Sequence, residues 1–483
     1  MNTDKNLSQN CSEEGDRHIL LRRLRKMSQS PGSSGIGSKT TTRRAFLKTA
    51  ATGLAAPLIV SSAALGGSPN DRPQVAVIGT GWRPDIQRVG RGFQIARQAT
   101  KFADVVAICD VDRVAAEYAR QHVTDNRADL SSDYREVLAR DDIDAVLIAT
   151  PDHWHAKIAI EAMRAGKDVY CEKPLTLTID EGKQIGRVVQ ETGRVFQVGT
   201  QQRSEIKNRF LTAVALVQHG RIGKVRRVTV GIGPGKTGGP FQATSPPPQL
   251  NWDFWLGPAP RVPYIQERCH WTFRWWYEYA GGKLTDWGAH HVDIAQWAIG
   301  CQHTGPKTVG GTATFAQPIQ EGRPTRDDTY NTAVEFDVHC QFADGVEIVI
   351  NSGANGILFE GEAGRFFVNR GKLVGKPVEE LANNPLPEDA LKKLYKGKTP
   401  GSHMGNFFAC MRTREQPISD VFTHQRAFDL PSGKHQPASG ARADLGSGNR
   451  ADRRRRPGEC VVGARVAAGV CDRGLSLGAG NIY

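Results

Sequence analysis

The stretch QVAVIGTGWRPDIQRVGRGF, residues 74–93, decides the fold. A short apolar run enters a glycine turn, and a helix-like segment follows. A continuous apolar run of this kind reads as a buried strand of a parallel sheet. Glycines after such a strand let the backbone approach a pyrophosphate, and the N-terminus of the next helix favours its charge. Gly79 and Gly81 fit the first two positions of that pattern. The third is irregular. Pro84 stands where glycine is expected and has no donor N–H, so the spacing predicts a longer loop, with Gly90 or Gly92 serving close to the helix.

Working outward, DVVAICDVD (104–112), IDAVLIATP (143–151), DVYCEKP (168–174) and VFQVGTQQR (195–203) read as further strands. Between them FQIARQATKF (93–102), AAEYARQ (115–121), DYREVLAR (133–140) and HAKIAIEAMRAG (155–166) read as helices. Apolar strands spaced by helices indicate an α/β domain, a doubly wound parallel sheet of the Rossmann type, over residues 72–200. After Arg203 the texture changes. The helix RFLTAVALVQHG (209–220) leads to the alternating runs KVRRVTVGI, KTVGGTATF, NTAVEFDVHCQF and VEIVINSG. Alternation of this kind predicts a C-terminal α+β domain over 201–430 with a large, mostly antiparallel open sheet, one face solvated.

The chain has 483 residues and a net charge of +13, but residues 1–48 carry +6 of it and residues 431–483 carry +5. The body is nearly neutral, which argues against a nucleic-acid groove. The nine cysteines show no CxxC pair and no metal-ligand spacing, so no metal is expected. Residues 1–42 read as a polar, disordered lead. Residues 43–70 begin with Arg43, Arg44, Phe46, Leu47 and Lys48 and continue into small, mildly apolar residues. This is similar to a twin-arginine export signal. It implies the Tat machinery as a partner and an exported protein, periplasmic or held at the membrane by an uncleaved signal. Residues 431–483 lack periodicity and read as an aberrant basic tail, either disordered or an out-of-frame end.

Four places carry chemistry. Asp110 ends the second strand, where a carboxylate accepts a ribose hydroxyl and disfavours a 2′-phosphate. ATPDHWHA (149–156) puts Pro151, His153 and His155 at a strand end. Lys173 ends another strand, and ligands of an open parallel sheet bind beyond such ends. In GGKLTDWGAHHVDIAQWAIG (281–300), Asp286 and His290 are four residues apart, a spacing that stacks side chains on one helix face. Together they suit a cleft-facing pair. A helix cap, a core histidine and a metal site with Asp293 compete with that reading.

The ordered pieces GTG (79–81), ATPDHWHA, CEKPLT (171–176), GTQQRS (199–204), WDFWLGPAP (252–260), FRWWYEYAGG (273–282) and LTDWGAHHVDIAQWAIG (284–300) resemble the Gfo/Idh/MocA family of NAD(P)-dependent oxidoreductases. The resemblance covers about residues 72–430. It implies a nicotinamide cofactor, NAD favoured over NADP, held by Gly79, Gly81, Asp110, Thr150, Pro151, His155, Glu172, Lys173 and Gln201. It implies Lys173, Asp286 and His290 as catalytic residues: His290 as base, Asp286 orienting its ring, Lys173 binding the reacting oxygen. Arg203, Arg274, Trp275 and His291 are expected substrate contacts. Trp252, Trp255, Trp271, Trp275 and Trp276 suit either a sugar face or the core. The implied substrate is a sugar, cyclitol or related polyol, and the open sheet implies a homo-oligomer. Two other functions fit the same residues: a glycoside-cleaving enzyme that uses NAD as a transient oxidant, and a non-catalytic sugar- or cofactor-binding protein. The irregular glycine loop and the unmatched end after residue 430 depart from the family pattern.

Overall fold

The computed structural model describes residues 72–83, 88–320, 323–426 and 459–462. The arginine-pair segment, Pro84 and the rest of the basic tail lie outside the described residues. Six strands form the first sheet: β1 (Gln74–Ile78), β2 (Asp104–Cys109), β3 (Asp129–Ser131), β4 (Ala145–Ile148), β5 (Asp168–Glu172) and β6 (Phe196–Gly199). All neighbours are parallel, in the order β3–β2–β1–β4–β5–β6. This is the doubly wound α/β architecture. The order reverses at β1, so the binding crevice lies beyond the carboxyl ends of β1 and β4.

Local chemistry sets the helices that cover this sheet. Helix α1 (Arg91–Ala99) follows the glycine loop and buries Phe93, Ile95, Ala96 and Ala99. Helix α2 (Arg113–Thr124) is capped by the Asp112 side chain, which accepts from the Val114 N–H. After the short helix α3 (Tyr134–Leu138), helix α4 (Asp152–Arg164) starts directly behind Pro151. Helix α5 (Ile179–Thr192) carries a full capping box between Thr178 and Glu181, and Gly193 closes it in the left-handed conformation at φ +62°.

The second sheet holds β7 (Val225–Gly231), β8 (Thr308–Phe315), β9 (Ala333–Gln341), β10 (Glu347–Asn351), β11 (Gly356–Gly361), β12 (Arg365–Val368), β13 (Leu373–Val374) and β14 (Glu459–Val462). Its order is β13–β12–β11–β7–β10–β9–β8–β14. Only the β7–β10 pair is parallel. The sheet is therefore mixed and mostly antiparallel, as the alternating runs predict. Helices α6 (Arg209–Gln218), α7 (Trp252–Leu256), α8 (Gly282–Asp286) and α9 (Gly288–Ala298) follow β6 or lie between β7 and β8. Phe210, Leu216, Ile294 and Trp297 of α6 and α9 share a core with Val228, Val230, Ile348 and Phe359 of the sheet. Strand β14 falls in the basic tail and pairs antiparallel with β8.

Helix α10 (His403–Thr413) lies within the stretch that sequence texture assigns to the second domain. Its Met404, Phe407 and Phe408 nevertheless join Val75, Ile95 and Tyr170 in the core of the parallel sheet. A buried polar belt ties this return to the chain after β6. His403 bonds the Val198 carbonyl at 2.8 Å and the Ser204 hydroxyl at 2.8 Å. Arg203 donates to both Asp293 oxygens at 2.6 and 2.7 Å and to the Ile418 carbonyl at 3.0 Å. Among the described residues no helix is long and apolar enough to cross a membrane.

Candidate active site

A cavity of about 430 Å³ opens at the switch point. Ligand pockets usually hold roughly 300–1,000 Å³. One wall is the glycine loop. Gly79 sits at φ +81°, and a Cβ there would come within 2.8 Å of the Thr150 N–H. At Gly92 a Cβ would stand 1.9 Å from the Gly79 carbonyl oxygen. Gly92 thus lets α1 close on the strand turn, the role of the third glycine in a dinucleotide fingerprint. Between these glycines Trp82–Arg83 pairs antiparallel with Arg88–Val89. This pairing lies within the lengthened loop that the sequence predicts.

Asp110 serves this loop. One carboxylate oxygen accepts from the Thr80 N–H, the Thr80 hydroxyl and the Gly81 N–H at 2.8–2.9 Å, and the other accepts from the Asp112 N–H at 3.0 Å. It lines the cavity and fastens the loop. Beside it Asp112 is raised to about 6, by burial and then by Asp110.

The opposite end holds the charged residues. β5 ends at Glu172, so Lys173 projects beyond the sheet. Its Nζ donates to the Asp286 carbonyl at 2.9 Å and to the Asp286 carboxylate. Burial alone would raise the Asp286 pKa, but Lys173 and then Arg274 outweigh it and hold it at about 2. Arg274 Nε lies 3.8 Å from the second carboxylate oxygen. Glu172 accepts from Arg91 and Gln201 at 2.8 Å, and Gln201 also donates to the Tyr170 hydroxyl at 2.9 Å. His290 is 5 % exposed and lines the same cavity. Burial, reinforced by Lys173 and Arg370, pushes its imidazole well below the usual range, so it is neutral at physiological pH.

The expected Asp286–His290 partnership takes another form. Helix α8 ends at Asp286 and α9 begins at Gly288, so the four-residue spacing spans a helix junction. Asp286 bonds Lys173, and His290 Nδ1 has no hydrogen-bond partner among the described residues. The Asp286–His290–Asp293 trio does not assemble either, because Asp293 is committed to Arg203. Among the described residues no group of three or more His, Cys, Asp or Glu is arranged to hold a metal ion.

Gly79, Gly81, Asp110, Thr150, Pro151, Glu172, Lys173, Gln201, Arg274, Asp286 and His290 all line the cavity. The remaining expected residues do not. His155 stands behind the wall, its ring nitrogens 2.7 Å from the Pro174 carbonyl and 3.0 Å from that of Thr150, where it couples the ends of β4 and β5. Arg203 is 2 % exposed in its ion pair. His291 is fully buried between Gln202 and Asn355. Trp275 belongs to an aromatic core with Trp252, Trp255, Trp276 and Tyr279. Of the five tryptophans weighed for a sugar face, Trp271 is the exposed one, at 41 %. Arg88 and Arg274 both stack on it, their guanidinium carbons 3.5 and 3.7 Å from the ring centroid. Sequence reading missed Asp152, Arg88, Arg91 and Arg370, all cavity-lining. Asp152 carried a signal: an acid directly after a strand-ending proline.

A family model described as an oxidoreductase family with an NAD-binding Rossmann fold matches residues 74–200, and the C-terminal α/β domain of the same family matches 234–415. Among curated proteins, a glycosyl hydrolase family 109 protein of Shewanella sp. (strain W3-18-1) is 36 % identical over 170 residues, 31 % of this chain and 37 % of that protein. An alpha-N-acetylgalactosaminidase of Shewanella oneidensis is 36 % identical over 166 residues, 30 % of this chain and 36 % of that protein. The chain thus matches little more than a third of the length of these relatives. The WlbA dehydrogenase of Chromobacterium violaceum, solved with NADH and UDP-GlcNAcA, shares the fold with a TM-score of 0.51 at 19 % identity, covering 74 % of this chain and 91 % of that one.

Proposed function

The chain belongs to the Gfo/Idh/MocA oxidoreductase family, and from that premise we propose that it moves a hydride between a nicotinamide and the carbinol carbon of a sugar or cyclitol. The observation that supports this most is the meeting of Lys173 with Asp286 in the same cavity as the glycine loop and His290. The residues present fit a dinucleotide. Gly79 and Gly92 leave no room for a side chain against Thr150 and the strand turn, so the loop and α1 pack as a dinucleotide fingerprint requires, and the N-terminus of α1 follows directly. Asp110 and Asp112 put two carboxyls at the ribose end, which favours NAD over NADP. Bound there, the nicotinamide supplies the hydride acceptor or donor. Lys173 binds the reacting oxygen and is itself fixed by Asp286. His290, neutral through burial, is the base that the family resemblance implies in the oxidative direction. Holding reactants in line in this way can contribute roughly 7–11 kcal/mol.

A second reading, glycoside cleavage with NAD as a transient oxidant, draws on the 36 % identity to the family 109 proteins. One assay separates the two. Purified protein with NAD and a polyol panel should generate NADH absorbance. Release of sugar from an aryl glycoside without net NADH would replace the first reading with the second. Tight NAD(H) binding, with neither activity, would leave a binding protein. Export through the Tat system and assembly through the second sheet belong to the same proposal. Size-exclusion chromatography with light scattering and cell fractionation test them.

A further inference from the structure

The cavity is lined by five acids, and four of them are committed. Asp110 holds the glycine loop, Asp112 caps α2, Glu172 pairs with Arg91 and Asp286 pairs with Lys173. Asp152 has no hydrogen bond to another side chain among the described residues, although it is only 7 % exposed. It is the first residue of α4, placed by Pro151 at the carboxyl end of β4. The charged groups that face it are Lys173 from the end of β5, Asp286 from α8 and Arg274 from the aromatic loop; the buried Cys171 thiol lies near as well.

We propose that Asp152 is the proton-transferring residue of this site, giving a proton to the oxygen of a carbonyl substrate in the reductive direction. The inference rests on the oxidoreductase reading above. When a carbonyl carbon gains a hydride, a C–H bond forms and the C=O π pair moves onto oxygen; the reduced nicotinamide is what is oxidised. That oxygen then takes the Asp152 proton. The carboxylate left behind faces the Lys173 ammonium and the Arg274 guanidinium. In the oxidative direction the same carboxylate takes the hydroxyl proton back, so Asp152 stands in place of His290, the base that the family resemblance implies, and leaves His290 as a neutral hydrogen-bonding group.

The electrostatics agree with the geometry. Burial raises Asp152 to about 8, against the opposing pull of Lys173 and with a further push from Asp286. Asp286, on the other side of the same ammonium, is held at about 2. Two carboxyls pushed this far apart mark one as proton carrier and the other as fixed charge. His290 cannot fill the acid role, because burial keeps its imidazole neutral. Among the described acids beside Lys173, Asp152 is the one raised to near-neutral pH, where a proton donor is most effective.

Asp152→Asn and Asp152→Glu test this. The first readout needs no turnover. The wild-type minus Asp152→Asn infrared difference spectrum should contain a protonated-carboxyl band that titrates away with a midpoint near pH 8. In carbonyl reduction, Asp152→Asn should lose about 10²–10⁴-fold in kcat, with KM and NAD(H) affinity kept. The alkaline limb of the kcat profile should vanish in Asp152→Asn and persist in Asp152→Glu. Absence of the titrating band, or wild-type turnover by Asp152→Asn, overturns the proposal. If Asp152→Asn also loses NAD(H) binding, the retained limb of Asp152→Glu decides. Failure of the wild-type protein to reduce any carbonyl substrate defeats the oxidoreductase reading instead, and the infrared titration still judges whether Asp152 holds the proton.

Discussion

Lys173 shows how one side chain changes the chemistry of another. Burial pushes a carboxyl up, yet Asp286 ends at about 2 because an ammonium and a guanidinium stand beside it. A carboxylate with a depressed pKa adds stability above its ordinary pKa, and that stability is lost as pH falls towards 2. Lys173→Met removes the larger of the two opposing charges. The desolvation of Asp286 then dominates, its pKa rises, and the site gains a carboxyl that protonates at mild acidity. Turnover in this variant should fall by about 10²–10⁴-fold, at least as far as in His290→Ala. Steady-state kinetics with NAD(H) affinity measured in parallel checks the order. A Lys173→Met protein that keeps most of its activity while His290→Ala loses it would remove Lys173 from the reacting centre.

The glycine loop and α1 act as one element. Gly92 carries no unusual φ; what it supplies is space, since its Cβ would fall 1.9 Å from the Gly79 oxygen. Gly92→Ala must push α1 away from the strand turn, an overpacking that typically costs about 1–3 kcal/mol. NAD(H) affinity should fall at least tenfold by fluorescence titration, since both cradle and helix N-terminus move. Unchanged affinity would mean that the loop does not hold the pyrophosphate. At this scale much was legible in the sequence. Each strand of the parallel sheet but the short β3 stands out as an apolar run, and the stretches for β7, β8, β9 and β10 alternate. Strands β11 and β12 escaped because GILFEG and RFFV are too short and too apolar to show a period. Within the site, residues at strand ends were legible, because topology alone aims them at the crevice. Arg203, Trp275 and His291 lie outside the cavity lining, since charge and aromaticity do not say which way a side chain faces. Arg88 and Arg370 were invisible, since only tertiary approach brings the lengthened glycine loop and a late loop to the same cavity.

Across the whole molecule, titration should be governed by what the fold buries. Burial lowers His153, His291 and His403 each to about 4. An unfolded histidine binds a proton near pH 6.5. Burial lowers His155, His290 and His424 as well, so between pH 6.5 and 4 the unfolded chain holds up to six extra protons, and stability falls as pH falls. Asp152, raised to about 8, and Asp112, raised to about 6, oppose this, because the native state keeps protons that the unfolded state has released. At pH 5 the two acids offset at most two of these protons, so the unfolded chain still binds more and stability rises with pH there. By about pH 7.5 the histidines are largely neutral in both states, and Asp152 acts alone with the opposite sign. Stability that its neutral carboxyl preserves is lost as pH rises towards 8. The urea midpoint should consequently peak at about pH 7 and decline on both sides. Asp152→Asn should flatten the alkaline decline and leave the acid decline intact. A midpoint that climbs steadily from pH 5 to pH 8 would show that the buried carboxyl does not keep its proton, and the infrared band assigned to it would then have to be absent as well.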